Sequence, residues 1–187
     1  ALLMGLPFRK RILVMILPLL LFLSSAGGRE DSNSLVVTFL DVGQGDAIHL
    51  RYPDGRDSML DTGGSPFEES NYMLGRRVVA PYLWQARVRR LEFLMISHPE
   101  SDHQGAYSTL RRLVPVRHLL YFMPRLEYPE ASLRVQQGID FEVGGVSHHL
   151  LHPSPFPIPN GPNEASIVMT LRYGRFSMLL TGDIPRK

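Results

Sequence analysis

Apolar and polar positions alternate in different ways along this chain, and the changes of pattern mark its parts. Ile12–Leu23 is almost uniformly apolar, with Arg9, Lys10 and Arg11 before it and the small residues Ser24–Gly28 after it. A basic flank, an apolar core and a small-residue end describe a signal peptide. The apolar stretch Ala1–Phe8 upstream fits that poorly. Residues 1–28 are therefore read as a membrane-spanning or anchoring segment, inserted through residues 12–23. The positive-inside rule then keeps Arg9–Arg11 cytoplasmic and sends the rest outward, which predicts a membrane protein with an extracytoplasmic globular domain. A buried helix is a weaker reading, because Pro18 and the uniform apolarity leave no amphipathic stripe.

After a polar linker at 29–34, the period becomes that of strands. Leu35–Leu40, Ala47–Tyr52 and Ser58–Leu60 alternate with turn sequences, Asp41-Val42-Gly43-Gln44-Gly45-Asp46 and Pro53-Asp54-Gly55. Asn71–Gln85 has helical spacing, kinked or split at Pro81. Leu91–Ile96 reads as a buried strand, Gly105–Leu113 as a short amphipathic helix and Val116–Phe122 as another strand. Pro124–Val135 has no assignable period. Ile139–Val143 with Ser147–Leu151, and Ser166–Tyr173 with Arg175–Leu180, read as two hairpins either side of a Pro-rich loop at 153–162. Strands in succession with helices inserted among them predict an α/β sandwich of mixed sheets over 35–187.

Composition adds limits. The 187 residues are 44 % hydrophobic, enough for a core, and Gly (16) and Pro (15) suit a fold with many turns. Without cysteine, any metal must be held by His, Asp or Glu. The formal net charge is +2, and Lys occurs only as Lys10 and Lys187. Arg87, Arg89, Arg90, Arg111 and Arg112, with Arg117, flank the His-rich loop in sequence. They are candidates for a nucleic-acid backbone contact, weighed against an ordinary solvated face. The chain begins with Ala and stops soon after an apolar strand, so both ends are expected to be internal to a longer protein. An unpaired sheet edge at its end predicts aggregation.

The chemistry concentrates in Ser97-His98-Pro99-Glu100-Ser101-Asp102-His103-Gln104-Gly105. His98, Asp102 and His103 follow a buried strand in a loop short enough for nitrogen and oxygen donors to converge on a divalent cation. His148 and His149 are adjacent on a strand and point to opposite faces; with His152 they read as structural or surface residues, and His49 and His118 receive no role.

This loop and the later Thr181-Gly182-Asp183 resemble the metallo-β-lactamase superfamily. More narrowly, Leu40–Asp46, Asp61–Gly64, Ser97–Gly105, Asn163–Val168 and Leu179–Asp183, in that order, resemble the extracytoplasmic domain of ComEC-type competence proteins. The resemblance implies an αββα metallo-β-lactamase-type sandwich, incomplete at the C-terminus. It implies two divalent metal ions, Mn or Zn, with His98 at one site, Asp102 and His103 at the other, and Asp183 bridging. Asp102 and His103 are the catalytic candidates, and Glu100 stands where the superfamily has a second His. Asp41 and Asp61 become buried carboxylates behind the ligands; for Asp41 and Asp46 a turn role is weighed equally. The third-motif His has no counterpart, Asn163 being the nearest polar residue, and no final His motif precedes Lys187. Two tightly bound ions, and activity, are accordingly not expected of this polypeptide alone. For the whole protein the resemblance implies a nuclease that degrades one strand of DNA during uptake, with single-stranded DNA and other competence-channel components as partners. A non-catalytic DNA-binding or structural module of the channel, and a hydrolase of β-lactams or other substrates, are the alternatives.

Overall fold

Two sheets face each other in the computed structural model, which describes residues 33–123, 128–129, 132–157 and 159–185. The expected membrane segment at 1–28 and most of the 29–34 linker lie outside these residues. Among those described, no helix is long and apolar enough to cross a membrane.

The first sheet has six strands in sequence order: β1 (Val36–Phe39), β2 (Ile48–Arg51), β3 (Asp57–Leu60), β4 (Leu91–Ile96), β5 (Val116–Tyr121) and β6 (Leu133–Arg134). β1–β3 are antiparallel, whereas β3 to β6 run parallel. Parallel neighbours need crossovers, and helices supply them. β3 connects to β4 through α1 (Glu68–Leu74), a π-helical turn (Gly75–Val79) and α2 (Ala80–Gln85); β4 connects to β5 through α3 (Ser101–Gln104) and α4 (Tyr107–Leu113). The second sheet is antiparallel, in the order β10 (Phe176–Leu180), β9 (Val168–Tyr173), β8 (Val146–His152), β7 (Asp140–Val143).

Past Glu92, β4 is apolar on both faces because both are covered. Phe93 and Met95 enter the core between the sheets with Leu50, Leu150, Met169 and Leu171. Leu94 and Ile96 pack instead with Val79, Leu83 and Leu110 beneath the helices. The outer face of the second sheet alternates with solvent, as in the buried-exposed repeat of β8. Among the described residues no α-helix covers it, so three layers of the expected four are present.

The helix expected from Asn71 starts at Glu68, and Pro81 splits it as anticipated. Proline has no N–H for the turn before it, and the π-turn at Gly75–Val79 absorbs that missing bond. Gly75 is required by packing: a Cβ there would lie 2.9 Å from Thr109 Cβ on α4. The helix expected at Gly105–Leu113 begins earlier, because Ser101–Gln104 already forms a helical turn.

Candidate metal centre

The parallel strands β3 and β4 end side by side, so the loops that follow them meet at one end of the sheet. This is where open α/β sheets place ligand sites. Three backbone bonds lock the loops together: Thr62 N to His103 O (2.7 Å), Ala106 N to Gly63 O (3.0 Å) and Gly63 N to Asp46 O (2.7 Å). Glycines permit the approach. A Cβ on Gly45 would sit 1.9 Å from Asp102 O, and one on Gly64 would sit 1.9 Å from Ser101 O. The motifs Gly-Gln-Gly-Asp and Asp-Thr-Gly-Gly are thus backbone contacts with the His-rich loop.

Asp61 is the hub of the arrangement. It is buried, holds a left-handed backbone conformation (φ 54°), and accepts from Ser97 N (2.7 Å), Ser97 Oγ (2.6 Å) and His103 Nδ1 (2.9 Å). Strain of this kind persists only where surroundings over-determine it. Ser97 Oγ gives its proton to Asp61, so at its 3.1 Å contact with His98 Nδ1 it accepts. Ser166 Oγ lies 3.3 Å from the same nitrogen and accepts from Asp183 N at 3.2 Å. Each imidazole therefore carries a proton on Nδ1, facing the protein; a second proton on His103 would sit on Nε2, where a cation would displace it.

That leaves both Nε2 atoms pointing at each other's surroundings. The two rings lie 4.1 Å apart, both buried, and each Nε2 is buried without a hydrogen-bond partner. An orphaned buried nitrogen is costly unless something else binds it. Carboxylates stand around them: His103 Nε2 is 3.5 Å from Asp183 Oδ2 and 3.9 Å from Asp102 Oδ2, and His98 Nε2 is 3.9 Å from Glu100 Oε2. Three overlapping sets, His98/His103/Asp183, His98/Glu100/Asp102 and Asp46/Asp61/His103, each bring their donor atoms within 4.8 Å of one another.

Electrostatics agrees with a cation site. Burial and the charge of His103 lower the His98 pKa. Burial would lower His103 too, but the hydrogen bond and charge of Asp61, then Asp183 and Asp102, raise it to about 9. Burial and the charge of Asp61 raise Asp46. A cavity of about 710 Å³ borders the loop, lined by Gly43, Gln44, Gly64, Ser65, Glu100 and Asp102 among others, with no Arg or Lys among the described residues. The charged side chains among these are the carboxylates of Glu100 and Asp102, which repel an anion until a cation offsets them.

The structure thus gathers five residues expected from sequence, His98, Glu100, Asp102, His103 and Asp183, with Asp61 behind them. It does not bring Asp41: of the buried position and the turn role weighed equally for it, the structure shows the turn role, with the carboxylate exposed just past the end of an edge strand and accepting from Gly43 N at 3.4 Å. Asp46 occupies the inner position instead. The arginines are also misplaced by a reading in sequence order. Arg87, Arg89 and Arg90 precede β4 and His98 follows it, so six strand residues, about 20 Å, separate them. Arg111 and Arg112 end α4 at that same distant end, where Pro115 O accepts from Leu91 N. Asn163 Oδ1 is a further buried atom without a partner. The reading also missed Asn71, which bonds Ser65 N and O beneath the Gly63-Gly64 turn, and Tyr128, whose hydroxyl donates to Gln104 Oε1. His148, buried, and His149, exposed, point to opposite faces as expected.

No protein-family model matches the chain. It is 27 % identical over 173 residues to ComE operon protein 3 of Bacillus subtilis, covering 81 % of this chain and 22 % of that protein. Recombination protein 2 of Haemophilus influenzae is 32 % identical over 152 residues (81 % and 18 %), and competence protein ComA of Neisseria gonorrhoeae 29 % over 155 residues (83 % and 20 %). The chain spans about a fifth of the length of these relatives. Among solved structures, a Cronobacter sakazakii metallo-β-lactamase with an HARLDQ motif superposes with TM-score 0.56 at 14 % identity, covering 80 % of this chain and 60 % of that one. The subclass B3 enzyme MEM-A1, from a soil metagenome, gives 0.54 at 17 % identity (76 % and 58 %). Such identities show the fold alone, and the sequence relatives supply the narrower kinship. The domain described here is a metallo-β-lactamase-like domain of the ComEC type.

Proposed function

We propose that this domain is the hydrolytic centre of a DNA-uptake protein, a metal-dependent phosphodiesterase that degrades one strand of DNA. The observation that carries this is the pair of buried Nε2 atoms of His98 and His103, without hydrogen-bond partners, among Glu100, Asp102 and Asp183. The residues fit a divalent cation such as Mn²⁺ or Zn²⁺: imidazole nitrogens and carboxylate oxygens, with no thiolate. His98, Glu100, Asp102, His103 and Asp183 would hold one or two ions, and a bound ion supplies Lewis-acid polarisation of a phosphoryl oxygen. Asp61 holds His103 by its Nδ1 proton, Ser97 and Ser166 hold His98, and the loop glycines let Asp102 reach the site. Glu100 and Asp102 at the rim of the cavity disfavour an anionic substrate unless a cation offsets their charge, which would couple substrate binding to metal loading. DNA as substrate is supported by the competence relatives, since fold does not decide substrate. In the same reading residues 12–23 anchor the domain at the cell membrane on its extracytoplasmic side, next to other components of the uptake channel.

Mn²⁺-dependent cleavage of end-labelled single-stranded DNA by the whole protein, of which this chain is the metal-centre domain, tests it, with Asp102→Ala as the control. Cleavage lost in the variant and on chelation is the expected result. A folded, metal-loaded protein that leaves DNA intact would refute the nuclease reading.

A further inference from the structure

The strand directions give this domain two chemically distinct ends. Asp46, Asp61, Glu100, Asp102 and Asp183 gather at the end where β3 and β4 finish. At the opposite end, Arg87, Arg89 and Arg90 lead into β4, and Arg111 and Arg112 finish α4; all five are exposed. Among the described residues Arg89, Arg90 and Arg112 have no ion-pair partner. The neighbouring carboxylates are already engaged, Asp57 with Arg51 and His49, and Glu92 with Arg117. Trp84, the one tryptophan of the sequence, lies in the last turn of α2, 51 % exposed. The helix end that carries it is tied to this end of the sheet by Arg51, which donates to Ala86 O.

We propose that this end of the domain docks on an anionic bilayer surface, with the arginines over lipid phosphates and Trp84 at headgroup level. Arginine pairs with phosphate through its guanidinium fork, and an exposed tryptophan sits at headgroup level on either face of a bilayer. Single-stranded nucleic acid would also suit arginine and an aromatic ring. A strand held here, however, is about 20 Å, the length of β4, from the His-rich loop. The chain also enters the domain at this end. β1 starts at Val36 opposite Arg51, and Tyr173 OH donates to Asn33 O at 3.1 Å. In sequence, twelve residues separate Val36 from Leu23, the last of the apolar run. The inference does not depend on the hydrolase reading.

Because Trp84 is unique, its fluorescence reports on this surface alone. The full chain is reconstituted with vesicles of phosphatidylcholine, with or without phosphatidylserine, each doped with brominated lipid. The expected result is a blue shift and quenching of Trp84 only where phosphatidylserine is present, reversed by high salt. Arg89→Gln/Arg90→Gln/Arg112→Gln should need about 100-fold more anionic lipid for the same quenching. Salt reversal in the unmodified chain carries the test if that variant fails to fold. Equal quenching on both vesicle types, or none on either, overturns the proposal. A Trp84 response to single-stranded oligonucleotide but not to phosphatidylserine overturns it in favour of nucleic acid.

Discussion

Acid should destabilise this domain through a histidine remote from the metal centre. His148 is 1 % exposed between the sheets, stacked on Phe141 at 4.5 Å and edge-on to Phe93 at 5.6 Å. Its Nδ1 faces Val146 O at 3.0 Å, an acceptor only, so Nδ1 carries the proton. Nε2 then accepts from Tyr52 OH at 2.9 Å. Both ring nitrogens are satisfied in the neutral form, and a second proton would oppose the tyrosine hydroxyl in an apolar setting. Burial accordingly pushes the His148 pKa down to about 4. The unfolded chain binds that proton near pH 6.5. Between those values the unfolded state holds more protons, so stability is full above pH 6.5 and falls as pH drops towards 4. The loss is about 2 kcal/mol at pH 5 and about 3 kcal/mol at pH 4, set against a typical total of ~5–15 kcal/mol. Urea denaturation from pH 7 to pH 4.5, with chelator present, measures it. His148→Gln keeps one donor and one acceptor but cannot titrate. Its stability should vary with pH by about 2 kcal/mol less between pH 7 and 5 than that of the unmodified chain. His98, also lowered, contributes to both proteins and cancels in the difference. Identical pH slopes would refute the reasoning.

Other perturbations test the loops and the core. Gly45→Ala places a Cβ 1.9 Å from Asp102 O at a backbone φ of +95°; a loss of roughly 1–3 kcal/mol in thermal or urea denaturation is expected. Asp61→Asn leaves one acceptor oxygen for Ser97 N, Ser97 Oγ and His103 Nδ1, which now share two, and should weaken Mn²⁺ binding about 10–100-fold by calorimetry. Leu94→Ala, at a fully buried position beneath the helices, should cost about 2–5 kcal/mol of stability in urea denaturation.

Much of this architecture was legible because local signals and burial agree. β4 runs over Leu91–Ile96 as its apolar run predicts, and the turns at Pro53-Asp54-Gly55 and Gly144-Gly145 set the hairpins beside them. The His-rich loop could be read for the same reason: its donors are close in sequence and need no distant segment to meet. What failed was inference across distance. Asp41 and Asp46 are equivalent in a turn-rich stretch, and the left-handed turns at Gly43 and Gly45 decide which carboxylate faces inward. The arginines preceding β4 are near the metal loop in sequence, yet a strand is the element that carries a chain farthest for its length. Ser166 and Asp183 approach His98 and His103 only through the second sheet, an approach no local pattern encodes.

The central claim is that the buried Nε2 atoms of His98 and His103 bind a divalent cation. Calorimetric titration of Mn²⁺ into the chain, beside His98→Ala/His103→Ala and Arg112→Gln, tests this most directly. The account predicts saturable binding of at least one ion, abolished in the double variant and unchanged in Arg112→Gln. No binding by a folded chain, or equal binding with and without the two histidines, would contradict it.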